Sequence, residues 1–67
     1  MPLALTFEYE QEADGRWIAE IPEVPGALAY GETKEEAAAK AEVIALRTIA
    51  DQIESTGQSR PLTMSAA

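Results

Sequence analysis

Carboxylates dominate the reactive side chains of this chain: twelve Asp and Glu stand against five Lys and Arg, for a formal net charge of −7. Carboxylates that converge can hold two divalent metals for phosphoryl transfer. Glu8, Glu20 and Glu32 could in principle form such a cluster, but strand alternation gives no assurance that they meet. The 67 residues include no His and no Cys. That removes the usual general base near neutral pH and the commonest metal ligand. It also removes thiol nucleophiles, zinc–thiolate sites and disulfide staples. Gly-rich phosphate loops and dinucleotide motifs are missing as well. No enzymatic activity, metal or cofactor is expected.

Binding chemistry suits the composition better. Direct nucleic-acid binding at this charge would work against phosphate repulsion, so a basic protein is the expected kind of partner. A content of 46% hydrophobic and 25% charged residues is that of a globular chain. The length allows one domain, placed at residues 1–57, with a tail at 58–67. A chain this short buries a modest share of its surface, so oligomerisation is expected to contribute to its stability. No run approaches ~20 apolar residues, and Met1-Pro2-Leu3-Ala4-Leu5 lacks a basic leader, so a cytoplasmic protein without a membrane segment is expected.

The elements that must position these residues are legible from periodicity. Leu3, Leu5, Phe7 and Tyr9 alternate with Thr6, Glu8 and Glu10 in a half-buried strand. Asp14-Gly15 marks a turn longer than two residues, which predicts a hairpin with a bulge or a wider turn. Arg16 to Ile21 alternates again, with Trp17, Ala19 and Ile21 sharing a face, until Pro22 withholds a ladder donor. Pro22-Glu23-Val24-Pro25-Gly26 is a rigid connector. Ala27 to Gly31 reads as a short third strand, with Leu28 and Tyr30 on one side and Ala27 and Ala29 on the other.

Thr33-Lys34-Glu35-Glu36 is a capping box, in which Thr33 accepts from the Glu36 N–H and Glu36 reaches back to the Thr33 N–H. Between Glu35 and Glu54 there is no Gly or Pro, and Gly57 supplies a stop, so a helix of roughly 30 Å is predicted. One stripe of it, Ala37, Ala41, Ile44, Ala45 and Thr48, is small enough to lie close on a sheet. A second stripe holds Ala39, Val43, Leu46, Ala50 and Ile53. Three strands cannot cover both, so the second stripe is a candidate self-association surface. The tail, containing Pro61-Leu62-Thr63-Met64, can add an edge strand to the sheet or stay loose. The expected fold class is α+β: a small antiparallel sheet in the order β-β-β-α, with an optional last strand, and one long helix packed on one face.

Two punctuated segments at this spacing are specific. Asp14-Gly15-Arg16-Trp17-Ile18-Ala19-Glu20-Ile21-Pro22-Glu23-Val24-Pro25-Gly26 resembles the signature of the HicB family of antitoxins, in which an aromatic and a small residue precede a Pro-acid-aliphatic-Pro-Gly turn. Gly31-Glu32-Thr33-Lys34-Glu35-Glu36-Ala37 resembles that family's Gly-acid-Thr-x-Glu-Glu-Ala helix start. The resemblance spans roughly Leu5 to Thr56. It implies a partial ribonuclease-H-like β-β-β-α-β domain that neutralises HicA, a small basic ribonuclease toxin with a catalytic His. Fuller relatives append a DNA-binding domain; with ten residues after Gly57, none is expected here. Ala27 stands where relatives often carry Cys.

The expected role is therefore that of the antitoxin in a type II toxin–antitoxin pair, occluding the RNA-binding surface of a HicA-like messenger-RNA-cleaving toxin. The alternative is an orphan interaction module of the same family with no toxin partner. Candidate toxin-binding carboxylates are Asp14, Glu20, Glu23 and Glu32, which would take the place of RNA phosphates. Trp17 and Val24 are candidate apolar anchors. Each has a bland reading beside this one. The carboxylates also serve as a solvated face, Trp17 as core packing, and the Pro-Gly segment as a plain turn.

Overall fold

The computed structural model describes residues 3–58 and the backbone of a strand at 62–66; Met1, Pro2, the segment 59–61 and residue 67 lie outside the described residues. Strand β1 (Leu3–Gln11) pairs antiparallel with β2 (Trp17–Glu20), and β2 pairs antiparallel with β3 (Leu28–Gly31). Helix α1 (Lys34–Thr56) follows, and strand β4 (Leu62–Ala66) completes a sheet of order β3-β2-β1-β4. The arrangement is α+β, with three antiparallel strands followed by one long helix. The tail does form an edge strand, and it joins β1 in parallel rather than antiparallel. Crossover geometry explains the direction. The helix carries the chain back along the sheet from the β3 edge to the β1 edge, so the next strand starts at the same end as β3.

Local chemistry fixes the ends of these elements. In the β1–β2 hairpin, Gly15 donates its N–H to the Glu12 carbonyl at 2.9 Å and Glu12 donates to the Arg16 carbonyl at 2.7 Å. Gly15 has φ +93°, so the three-residue loop closes as a turn with a left-handed bulge residue, where a side chain would be strained. Thr33 is extended, at φ −125°, and its Oγ1 accepts from the Glu36 N–H at 3.0 Å. The reciprocal arm of the capping box lands one residue early: Glu36 Oε1 accepts from the Glu32 N–H at 3.4 Å and not from Thr33. Gly57 closes the helix in the left-handed region, donating to the Ile53 carbonyl at 2.7 Å. Thr33→Ala is expected to cost about 1 kcal/mol of stability, read as a lower urea midpoint with an unchanged denaturant slope.

Packing is close because the facing residues are small. Ala37, Ala41, Ala45 and Ile49 form the buried row of α1 and lie over Ala19, Ile21, Ala27 and Ala29 of the sheet side. The strict i, i+4 spacing makes this row a ridge that fits between strands. It corrects the expected stripe: Ile44 is 38% exposed and Thr48 is half-buried, while Ile49 takes the core position. Gly31 sits under the first turn, where an added Cβ would lie 2.5 Å from the Ala37 backbone nitrogen. Leu5 and Ile21 are the largest fully buried side chains, and Phe7, Tyr9 and Trp17 pack half-buried around them. Among the described residues no buried side chain is polar. No described helix is long and apolar enough to cross a membrane.

Candidate protein-binding face

Register decides which side chains share the face of the sheet that α1 leaves open. Glu8 lies opposite Glu20, and Glu20 opposite Leu28. In the next row Glu10 lies opposite Ile18, and Ile18 opposite Tyr30. Because Leu5, Ala19 and Ala29 point to the helix, alternation puts these six residues on the outer face. Leu28 and Tyr30 are 41% and 43% exposed there. Glu8, Glu10, Ile18, Glu20 and Leu28 line one open groove. This face mixes three carboxylates with three apolar side chains.

Its electrostatics are one-sided. Directly opposed like charges on a sheet repel at a cost of about 0.2–1 kcal/mol, and Glu8 and Glu20 are such a pair. The ion pairs among the described residues are Arg16 with Asp14 at 2.9 Å and Lys40 with Glu36 at 3.2 Å, so neither relieves the outer face. Arg16 lies at its margin, with the guanidinium 5.2 Å from the Tyr30 ring centroid. Lys34 is on the other side of the sheet, 4.6 Å from the Tyr9 ring and 5.5 Å from Trp17. The outer face thus presents negative charge around a patch of Ile18, Leu28 and Tyr30.

The residues singled out from the sequence are dispersed. Glu20 is central to the outer face. Glu23 is tied to β1: its carboxylate accepts from the Thr6 N–H at 3.0 Å and from Thr6 Oγ1 at 2.9 Å. The paired register of β1 with β2 starts at Glu8, so Thr6 lies beyond it and its N–H has no carbonyl acceptor in β2. Glu23 therefore substitutes for a missing ladder partner, a structural use that the sequence did not disclose. Asp14 sits at the hairpin tip, accepting from the Arg16 N–H and Nε. Glu32 is an exposed residue between β3 and α1, away from the Glu8–Glu20 pair, and no group of acidic residues suited to a metal ion occurs among the described residues.

Neither expected anchor projects from the outer face. Val24 is 4% exposed, because the turns Ile21–Val24 and Val24–Ala27 fold it back into the core. It cannot reach a partner from there. Trp17 points to the helix side and is half-buried beside Lys34. The apolar residues that do project outward are Ile18, Leu28 and Tyr30. Their signal was present in the sequence. Ala27, Ala29 and Gly31 are small enough to fit under an alanine ridge, which leaves Leu28 and Tyr30 for the opposite side.

Three carboxyls are held below their ordinary range. The Arg16 backbone N–H does this to Asp14, helped by the guanidinium. The Thr6 backbone N–H is the main cause for Glu23, and the Lys40 ammonium for Glu36. A lowered folded-state value means stability that is present above the ordinary carboxylate range and lost as pH falls through the folded value. Glu23→Ala is accordingly expected to lower the urea midpoint at about pH 7, and the gap to the parent protein should narrow at about pH 3. Equal gaps at both pH values would mean that the Thr6 clamp does not depend on ionisation.

No family model, curated protein or solved structure matches the chain.

Proposed function

We propose that this protein is a HicB-like antitoxin that inhibits a small basic ribonuclease by covering its RNA-binding surface, acting as a protein ligand without chemistry of its own. The observation that carries the reading is the outer sheet face, where Glu8, Glu10 and Glu20 surround Ile18, Leu28 and Tyr30 and none of the three carboxylates has an ion pair among the described residues. A nuclease surface that holds RNA phosphates is rich in Lys and Arg. An acidic face with an apolar centre competes for the same cations and excludes water around them. The β-β-β-α-β order and the two punctuated motifs support the family reading, including its partial ribonuclease-H-like fold. Its place of action would be the cytoplasm, where such a toxin meets messenger RNA.

Catalysis fits less well on the residues themselves. With neither His nor Cys in the chain, acid–base chemistry would fall to carboxylates, and Glu32 does not join Glu8 and Glu20. The test is a search of the neighbouring frames for a small, basic, histidine-bearing protein, whose absence would favour the orphan module, followed by co-expression with it. Copurification that is lost at high salt and by Glu20→Lys supports the reading. Copurification insensitive to both, or none at all with both proteins folded, overturns it.

A further inference from the structure

The helix carries a second interaction surface that the outer sheet face does not use. Ala39, Val43, Leu46, Ala50 and Ile53 follow one another at spacings of 4, 3, 4 and 3 residues, the repeat of a coiled-coil seam. Ala39, Val43, Leu46 and Ala50 are exposed, Val43 by 48% and Leu46 by 38%. Ile53 is half-buried against the protein's own core. The buried ridge of Ala37, Ala41, Ala45 and Ile49 lies on another side of α1, so the seam is free of the sheet.

We propose that this seam pairs with the same seam of a second copy of the chain, the two helices running parallel. The flanking charges select both the occupant and the direction. With Val43 at the first core position of a heptad, Glu35 and Glu42 fall on one flank of the seam and Lys40, Arg47 and Glu54 on the other, while Glu36 stands at the core position one heptad before Val43. In a parallel pair each flanking residue meets the partner's residue five positions on. Glu35 then faces the partner's Lys40, and Glu42 faces the partner's Arg47. Two-fold symmetry repeats both contacts. An antiparallel pair would instead set like flanks against each other, acid beside acid and Arg47 beside Lys40. A β-branched Val followed by Leu at the alternate core position is the combination that favours two parallel strands. Small Ala39 and Ala50 let the helices approach closely.

The sheet side of the seam offers a second complement. A groove between β1 and α1 is lined by Phe7, Tyr9, Lys34, Glu35, Ala38 and Glu42. In the parallel arrangement the partner's Lys40 and Arg47 project toward the Glu35 and Glu42 carboxylates at the helix side of this groove, the Tyr9 face being covered by the chain's own Lys34 at 4.6 Å. Within its own chain Lys40 is paired to Glu36, while Arg47 has no ion pair among the described residues. A surface of this extent lies at the small end of stable interfaces, so association should be concentration-dependent.

Sedimentation velocity on the full chain tests the pairing. The expected result is reversible conversion from the 7.2 kDa monomer to twice that mass as concentration rises. Leu46→Glu should shift the midpoint of that conversion upward by 10-fold or more while the circular dichroism spectrum stays native. Direction is tested by charge exchange and by cross-linking. Arg47→Glu should weaken the dimer, and combining it with Glu42→Arg should restore it. Leu46→Cys, the only thiol in the chain, should give a disulfide-linked dimer on mild oxidation, because a parallel pair sets position 46 against itself. A folded monomer at millimolar concentration, or a dimer indifferent to Leu46→Glu, overturns the proposal. A dimer that resists the charge exchange or the cross-link overturns the parallel direction.

Discussion

Gly31→Ala is expected to lower the unfolding free energy by about 2–3 kcal/mol, a large share of what a domain of this size possesses. The added Cβ would lie 2.5 Å from the Ala37 nitrogen, and 3.0 Å from both the Ala37 Cα and the Glu36 carbonyl carbon. All three are backbone atoms, so no side-chain rotation relieves the contact. The first turn is also where Thr33 caps the helix and where Lys34 lies over Tyr9 and Trp17. Lifting it would open the Ala37 and Ala41 contacts with the sheet. Urea titration measures the loss, with Leu28→Ala on the exposed outer face as the control expected to change little. A Gly31→Ala protein with the parent midpoint would contradict the close approach of α1 to β3.

Glu20→Lys should move stability and binding in opposite directions. In the free protein the substitution replaces a repelling Glu8–Glu20 pair by an attracting one, which raises stability by about 0.2–1 kcal/mol. Toward a basic partner the same change removes one complementary charge and adds a repelling one. Binding should weaken by roughly 10- to 100-fold, equivalent to about 1.4–2.8 kcal/mol. Glu8→Lys should behave alike, and the double substitution should forfeit the stabilisation while weakening binding further. Paired urea and calorimetric titrations read both quantities. A structural role for Glu20 would lower stability along with binding, so the sign of the stability change separates the two accounts.

Features set by near neighbours in the chain were legible in the sequence. The alternation of Leu5, Phe7 and Tyr9 placed β1 with its inner face correct, because strand period depends on the residues of that strand alone. Thr33 and Gly57 marked the helix ends for the same reason: their hydrogen bonds span three or four residues. The Asp14-Gly15 loop was legible as too long for a two-residue turn, leaving a bulge or a wider turn, and Gly15 at φ +93° makes it the bulge. What escaped depended on elements distant in sequence. Ile49 rather than Ile44 enters the core because an alanine ridge at i, i+4 drifts around the helix as it crosses β2 and β3. Val24 looked exposed in a Pro-Gly connector, yet two successive turns fold it inward.

The candidate face was half legible. Glu20 was identified, but its companions Glu8, Ile18, Leu28 and Tyr30 gather around it only once the register of β1, β2 and β3 is fixed. A four-residue strand such as β3 gives no sign of its own as to which side meets the helix. The Ala27-x-Ala29-x-Gly31 pattern becomes readable when set beside the small residues of α1. Glu23 escaped for a different reason: its bonds to Thr6 bridge seventeen residues.

The most direct measurement is ribonuclease activity. The cleavage of a fluorogenic RNA by the proposed partner, a small basic ribonuclease, should be silenced by an equimolar amount of this protein. The Glu8→Lys, Glu20→Lys form, verified as folded, should require far more to achieve the same effect. Undiminished RNA cleavage in the presence of excess folded protein would contradict the inhibitory role.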